Sequence, residues 1–173
     1  MGARDPSAAV SFSAGKHDHR ACVARALRGA ERVCARRGAR LTKLRRRVLE
    51  LVWSRHAPVG AYDLLRRLGR EREGAAPPTV YRALDFLLAH GLIHRIESLS
   101  AFVGCANPDE PHAGQFLICA GCGTAAEFHD PRLDAAIARR ADALGFAVRR
   151  KTIEVEGLCP PCQRRREVPA DGK

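Results

Sequence analysis

Four of the seven cysteines in this 173-residue sequence occur as two Cys-x-x-Cys pairs. They are Cys119 with Cys122, and Cys159 with Cys162. Each pair presents two thiolates from one tight turn, and structural zinc prefers four tetrahedral ligands, so the two pairs together complete one site. We therefore expect a structural zinc ion. Free or redox-active thiols are the alternative, and a thioredoxin-like site is disfavoured because neither pair is expected in a strand-to-helix turn.

A second set of potential metal ligands follows the fourth predicted helix and continues past a proline-containing segment. Its members are His94, Cys105, His112 and Glu127. Each has a simpler explanation alone: the histidine as a phosphate contact, the cysteine as a buried apolar residue, the carboxylate as a surface group. Together they offer nitrogen, sulfur and oxygen ligands from two modules, which a metal that controls the orientation of those modules requires.

Apolar spacing of three to four residues predicts helices through most of the first half of the chain. Thr42 is a suitable N-cap for the second helix, and prolines are tolerated in the first turn of the fourth. Alternating short segments after Gly91 then predict a hairpin. The expected helices are Arg20–Arg37, a segment from Thr42 to before Pro58, Ala61–Glu71, and Pro77 to Gly91; the expected strands are Leu92–Glu97 and Ala101–Gly104.

The remainder of the sequence predicts a second, α/β module. Helices followed by a hairpin are typical of a winged helix-turn-helix, so we expect the fold class α+β, with an N-terminal winged helix followed by a small α/β domain that contains the four-cysteine zinc site. The expected elements of the second module are strands Gln115–Cys119 and Thr124–Phe128, a helix Pro131–Leu144 and a strand Ala147–Glu156.

These patterns predict a domain organisation with two modules and two tails. The expected segments are a disordered tail over residues 1–19, a winged-helix DNA-binding domain over 20–104, a hinge over 105–114, an α/β domain over 115–165 and a disordered tail over 166–173. His17 and His19 fall in the first tail, and the sequence assigns them no role.

Charge points to a nucleic-acid partner. Lys and Arg number 30 against 19 Asp and Glu, a net charge of +11, and the basic residues are densest between Arg20 and Glu50. Such a field attracts a polyanion, although a solvated arginine-rich helix face gives the same composition.

Other functional classes fit the sequence less well. No apolar run approaches the roughly 20 residues that span a bilayer, and no secretory signal is recognisable, so we expect a cytoplasmic protein without membrane partners. A zinc hydrolase is a distant alternative: it requires an open coordination position, and the sequence contains no His-Glu-x-x-His motif or nucleophile elbow. A zinc module that binds only protein is disfavoured because the sequence predicts no amphipathic helix beyond those that the core needs, and because one predicted helix carries Arg82. We expect no enzymatic activity and no small-molecule substrate.

Three segments resemble the ferric uptake regulator superfamily and, within it, the zinc uptake regulator branch. They are PPTVYRALDFLLAHGLIHRIES from Pro77, FLICAGCG from Phe116 and GLCPPC from Gly157. The similarity extends from about Ala30 to Cys162.

The resemblance implies a homodimeric repressor of zinc-uptake genes with two zinc ions per subunit. It also implies that the α/β domain over residues 115–165 is the dimerisation domain. One zinc is implied at the structural site of Cys119, Cys122, Cys159 and Cys162, and the other at a sensing site of His94, Cys105, His112 and Glu127. The implied contacts to double-stranded operator DNA are Tyr62, Thr79, Tyr81 and Arg82, the last through a base edge.

The nearest alternative is an iron-responsive repressor of the same superfamily. Cys105 discriminates between them, because a thiolate favours zinc over iron(II) held by nitrogen and oxygen. The sequence departs from the family at Leu41–Arg45, where Lys-Leu replaces a common Pro-Gln, and the segment between Cys105 and His112 is shorter than the branch leads us to expect. The first departure affects backbone contacts near the second helix, and the second affects the geometry of the hinge.

Overall fold

The computed structural model describes Phe12 and residues 19–55, 57–71, 76–110, 112 and 114–167. The expected N-terminal tail therefore lies outside the described residues, His17 included, except for Phe12 and for His19, which begins the first helix. The expected C-terminal tail lies outside them from residue 168 onward.

The described N-terminal half contains the four predicted helices, with ends within a few residues of the expected positions. They are α1 (His19–Arg36), α2 (Lys43–Val52), α3 (Ala61–Glu71) and α4 (Pro77–Ala89). Thr42 caps α2 by accepting a hydrogen bond from the Arg45 amide. Gly91 follows α4 with φ of +65°, a conformation that favours glycine. Val33, Leu49 and Leu84 belong to the apolar core that these helices share.

Three strands complete this half as an antiparallel sheet. β1 (Val59–Gly60), β2 (Ile93–Ile96) and β3 (Ala101–Gly104) lie in the order β1-β3-β2. The hairpin of β2 and β3 is the predicted wing. Strand β1 was not predicted from the sequence, because two residues are too few to establish an alternating pattern.

The second half contains a mixed sheet and two helices among the described residues. Its elements are β4 (Gln115–Cys119), β5 (Ala125–Phe128), α5 (Pro131–Ala143), β6 (Ile153–Gly157) and α6 (Pro160–Glu167). The strand order is β5-β4-β6, with β5 antiparallel and β6 parallel to β4. Asp130 caps α5 by accepting from the Arg132 amide.

Two predictions for the second half were wrong in detail. The last strand was expected from Ala147 but begins at Ile153, since Ile153 pairs with Gln115, the first residue of its partner β4. The alternating residues before Ile153 therefore have no strand beside them. Helix α6 was not predicted, and it extends two residues into the expected tail.

The two sheets meet through a small apolar cluster. Ile96 and Val103 from the wing pack with Phe116, Ile118 and Ala125 from β4 and β5. Phe116 and Ile96 are fully buried, so the wing contacts the second sheet directly. Among the described helices, none has the combination of length and apolar character that spanning a bilayer requires.

Candidate metal centres

The four paired cysteines converge within the second half of the chain. Cys119 ends β4, Cys122 lies in the following turn, Cys159 lies between β6 and α6, and Cys162 is in the first turn of α6. Their Sγ atoms all lie within 4.8 Å of one another. The parallel pairing of β4 and β6 causes this, because Cys119 is in register with Gly157, two residues before Cys159.

The dimensions of this cluster fit a tetrahedral zinc site. With sulfur at about 2.3 Å from the metal, the edge of a tetrahedron is about 3.8 Å, and the Sγ atoms of Cys122 and Cys159 are 3.8 Å apart. Gly121 makes the close approach possible: a Cβ there would lie 3.1 Å from the Cys162 Sγ and 3.2 Å from Leu158.

Local hydrogen bonds favour the thiolate form of two of the four cysteines, Cys119 and Cys122. The Cys159 amide donates to the Cys119 Sγ at 3.3 Å and lowers the pKa of Cys119 to about 6. Hydrogen bonding with Thr124 lowers the pKa of Cys122, whereas burial raises the pKa of Cys159 to about 12. Arg165, one turn after Cys162 on α6, donates to the Cys162 Sγ at 3.0 Å. A thiolate-rich site is what a thiophilic cation stabilises.

The expectation that neither cysteine pair lies in a strand-to-helix turn was wrong for one pair. Cys159 and Cys162 do lie where a strand leads into a helix. A thioredoxin-like site is instead disfavoured by the other pair, because the sulfur atoms of Cys119 and Cys122 lie within 4.8 Å of those of the second pair. A dithiol redox site needs two cysteines, whereas four convergent cysteines are the ligand set that structural zinc prefers.

The second predicted set also converges, between the two halves of the chain. His94 lies on β2, Cys105 directly follows β3, His112 lies in the segment before β4, and Glu127 lies on β5. Their ligand atoms lie within 4.8 Å of one another. Cys105 is held in place because Gly104 packs against Trp53; a Cβ at residue 104 would lie 2.1 Å from the indole ring.

We call this second set the mixed cluster, and its distances also fit a metal ion. The Nε2 atoms of His94 and His112 are 3.2 Å apart, and the Cys105 Sγ lies 3.6 Å from the His112 Nε2. Tetrahedral zinc with nitrogen at about 2.05 Å and sulfur at about 2.3 Å gives edges of about 3.3 and 3.6 Å. The Glu127 Oε1 is closer, 2.7 and 2.8 Å from the two nitrogens, which are hydrogen-bond distances.

The hydrogen bonds of His112 indicate a cation at the centre. Its Nδ1 lies 2.8 Å from the carbonyl oxygen of Glu110, which only accepts, so Nδ1 carries a proton. The Nε2 of a neutral His112 then directs a lone pair at the Glu127 carboxylate and the Cys105 sulfur. A proton or a metal cation must occupy the point where these acceptors meet.

The pKa values of the four groups show the same mutual attraction. Burial opposes protonation of His94, but Cys105 and Glu127 raise its pKa to about 9. Cys105 and Glu127 raise the pKa of His112 to about 11. Burial raises the pKa of Glu127, but hydrogen bonds from the two histidines lower it to about 2. Burial likewise opposes the thiolate of Cys105, and the histidines lower its pKa.

Sequence reasoning missed the groups that orient these ligands. The Ala106 amide donates to the Glu127 Oε2 at 2.9 Å, and the Glu110 carbonyl fixes His112. Both are backbone groups, so no residue type could have identified them. The sequence gives a weak indication of the Arg165 contact. Arg165 lies three residues after Cys162, and this spacing places both residues on one face of a helix.

The four predicted DNA contacts lie on an exposed surface of the first half. Tyr62 is the second residue of α3 and is 83% exposed, and Tyr81 on α4 is 53% exposed. Thr79 and Arg82 are also exposed, in the first two turns of α4, while Val80 and Leu84 face the core. The first two turns of α4 therefore expose one face to solvent, while the opposite face of the helix packs against the core.

These features define a winged-helix protein with an α/β second module and two clusters of metal-ligand side chains. The model of the Ferric uptake regulator family matches residues 36–156. The chain belongs to the ferric uptake regulator family.

Individual relatives agree with this assignment. The zinc uptake regulation protein of Escherichia coli (strain K12) is 42% identical over 134 residues, 77% of this chain and 78% of that protein. The zinc uptake regulation protein of Mycobacterium tuberculosis (strain H37Rv) is 30% identical, over 73% of this chain and 96% of that protein.

Two solved structures are also similar. A zinc uptake regulator complexed with zinc and DNA has a TM-score of 0.78 and 38% identity, covering 87% of this chain and 99% of that chain. The holo form of XcZur has a TM-score of 0.74 and 47% identity, covering 80% and 96%.

Proposed function

We propose that this protein is a zinc-responsive transcriptional repressor that binds operator DNA in the cytoplasm as a homodimer and controls zinc-uptake genes. The observation that carries the proposal is the mixed cluster, whose ligands belong to both halves of the chain. His94 and Cys105 lie on or beside the wing, and Glu127 lies on the second sheet. The named zinc uptake regulators among its relatives support the same function.

Zinc is assigned two roles, with two ions per subunit. The four cysteines would hold the first ion and stabilise the second module. The mixed cluster would hold the second ion. The positive charge of that ion would be shared by the four ligand atoms that converge there. His94 and Glu127 can reach one ion only when the wing lies against β5, so occupancy of the site selects one arrangement of the two halves. Four protein ligands leave no open position for catalysis.

DNA contact is assigned to the exposed end of α4. In helix-turn-helix proteins, the N-terminal residues of the recognition helix contact base edges. Arg82 lies in the second turn of α4 and is exposed, so its guanidinium is available to pair bidentately with guanine. Tyr62, Thr79 and Tyr81 are also exposed and are available for phosphate and sugar contacts.

The second half carries the apolar surface that a homodimer needs. Leu117 on β4 and Val155 on β6 are cross-strand neighbours, and both are exposed. Leu144, Phe146 and Val148 are also exposed, at 67%, 66% and 46%. Exposed apolar side chains such as these support an interface in the second half, and in a symmetric dimer a second copy presents the same residues.

The choice of zinc over iron depends on Cys105. A thiolate is a soft ligand that favours zinc, and the pKa of Cys105 is lowered by the two histidines. An iron(II) sensor is better served by nitrogen and oxygen ligands alone.

The test is DNA binding by the purified dimer with each metal. Genomic fragments retained in the presence of zinc are sequenced, and the recovered duplex is titrated by fluorescence anisotropy with zinc, with iron(II) and with a chelator. We expect tight binding only with zinc. Equal affinity with and without zinc, or binding restored by iron(II) alone, would overturn the proposal.

Arg82→Ala tests the assigned DNA surface, with Arg82→Lys as the matched control that keeps the charge. Both variants lose the planar fork, so both should lose preference among duplex variants by about 1 to 3 kcal/mol. Neither variant should reduce the salt dependence of binding as loss of a phosphate contact does, because a base contact neutralises no phosphate. If Arg82→Ala retains wild-type preference in competition titrations, Arg82 does not read a base.

A further inference from the structure

The wing also contacts the second sheet at a point that includes none of the candidate metal ligands. Glu154 on β6 is partly buried, and its carboxylate accepts two hydrogen bonds from the turn between β2 and β3. The amide of Glu97 donates at 2.6 Å, and the amide of Ser98 donates at 3.0 Å. These partners lie 57 and 56 residues away in the sequence.

The two amides belong to the part of the hairpin where strand pairing has ended. The last paired residues of β2 and β3 are Ile96 and Ala101, so the ladder does not include Glu97 or Ser98. A carboxylate that accepts from two successive backbone amides forms charge-assisted hydrogen bonds. Arg150 adds an ion pair, with its Nη1 2.9 Å from the Glu97 Oε1.

Strand register connects this contact to the mixed cluster. Phe116 on β4 pairs with Glu127 on β5 on one side and with Glu154 on β6 on the other. The three residues therefore form one row across the sheet. Along this row Glu127 contacts His94, Phe116 packs with Ile96, and Glu154 binds the turn that follows. Strand β2 and the turn after it therefore lie along the whole row, from Glu127 to Glu154.

We infer that Glu154 is a positioning residue that holds the wing on the second sheet and thereby sets the zinc concentration to which the mixed cluster responds. This inference rests on the proposed function. When a site is complete only in one arrangement of a protein, its apparent affinity falls in proportion to the population of that arrangement. Glu154 binds backbone amides without a metal, so it favours the closed arrangement before zinc is present.

The test compares Glu154→Gln with Glu156→Gln in the full-length dimer that retains its four-cysteine zinc. Both substitutions remove one charge from β6, but Glu156 is exposed and two residues further along. Zinc affinity of the mixed cluster is measured by competition with a chromophoric chelator. We expect Glu154→Gln to weaken it about tenfold, within the contribution of hydrogen bonds to a charged group, and Glu156→Gln to leave it unchanged.

Amide hydrogen exchange supplies a readout that general destabilisation does not imitate. In Glu154→Gln the amides of Glu97 and Ser98 should exchange faster. The Ile153 amide, which donates to Gly114 at the start of the β4–β6 pair, should keep its protection.

Three results would overturn the inference: wild-type exchange at Glu97 and Ser98, unchanged zinc affinity, or loss of protection throughout β4 and β6. Failure of the proposed function gives a different result. A wild-type dimer that takes up no second zinc would defeat the sensing role, and exchange at the two amides would still determine whether Glu154 holds the wing.

Discussion

The two metal-ligand clusters differ in where their ligands come from. The four cysteines belong to the end of β4, the turn after it and the start of α6, all within the second half of the chain. The mixed cluster draws on β2, the end of β3, the following segment and β5. A cluster inside one module can stabilise that module only. A cluster shared by two modules makes their relative orientation depend on its occupancy.

The chemistry of the two clusters differs in the same direction. Four thiolates give a soft, closed site suited to permanent zinc. The mixed cluster contains histidines and a carboxylate that pair with one another when no metal is bound. Protons can therefore substitute for a metal there, which makes exchange of the metal less costly than at the four-cysteine cluster.

The largest expected effect is at the four-cysteine cluster. Cys119→Ser or Cys162→Ser should lose the tightly bound zinc and much of the dimer, because structural zinc contributes about 10 to 16 kcal/mol of apparent folding free energy in zinc-finger peptides. Light scattering and metal analysis measure both losses. Cys34→Ser is the control, since Cys34 is buried in the core of the first half and lies in neither cluster. A Cys119→Ser protein that remains a fully zinc-loaded dimer would contradict the structural role.

A more selective effect is expected at Cys105. Cys105→Ser should remain folded and dimeric with its four-cysteine zinc, yet lose zinc-dependent DNA binding, because a hydroxyl is a far poorer zinc ligand than a thiolate. Anisotropy titrations with zinc, on the duplex recovered with the wild type, measure the loss. Unchanged affinity and zinc dependence would remove Cys105 from the sensing site and favour the iron-responsive alternative.

The smallest effect is the pH dependence of the mixed cluster without its metal. The pKa values of His94 and His112 are raised from 6.5 to about 9 and about 11, so their stabilisation is complete below pH 6.5 and is lost as the pH rises through these values. The pKa of Glu127 is lowered from 4.5 to about 2, so its stabilisation is complete above pH 4.5 and is lost as the pH falls through about 2. The contribution of the cluster is therefore greatest between pH 4.5 and 6.5.

Thermal unfolding of wild type and Glu127→Gln tests this window, with the four-cysteine zinc retained. The difference in Tm should be largest near pH 6.5 and should shrink toward pH 10. A difference that stays constant over this range would show that the histidines and Glu127 are not coupled.

The sequence predicted both clusters because their ligands are chemically distinctive, and it predicted α1 to α4 because apolar spacing and caps such as Thr42 are local signals. It failed where an element depends on a distant partner. The start of β6 is determined by the first residue of β4, so the alternation from Ala147 onward was misleading. Glu154 had no signal at all, because it binds backbone amides that any residue supplies.

The central claim is that one zinc per subunit is structural and the other is exchangeable. Metal analysis of the purified zinc-loaded dimer, before and after mild chelation, tests it most directly. We predict two zinc ions per subunit falling to one with the dimer intact, and one at both stages for Cys105→Ser. A single zinc from the outset, or two that leave together as the dimer dissociates, would contradict the division of roles between the two clusters.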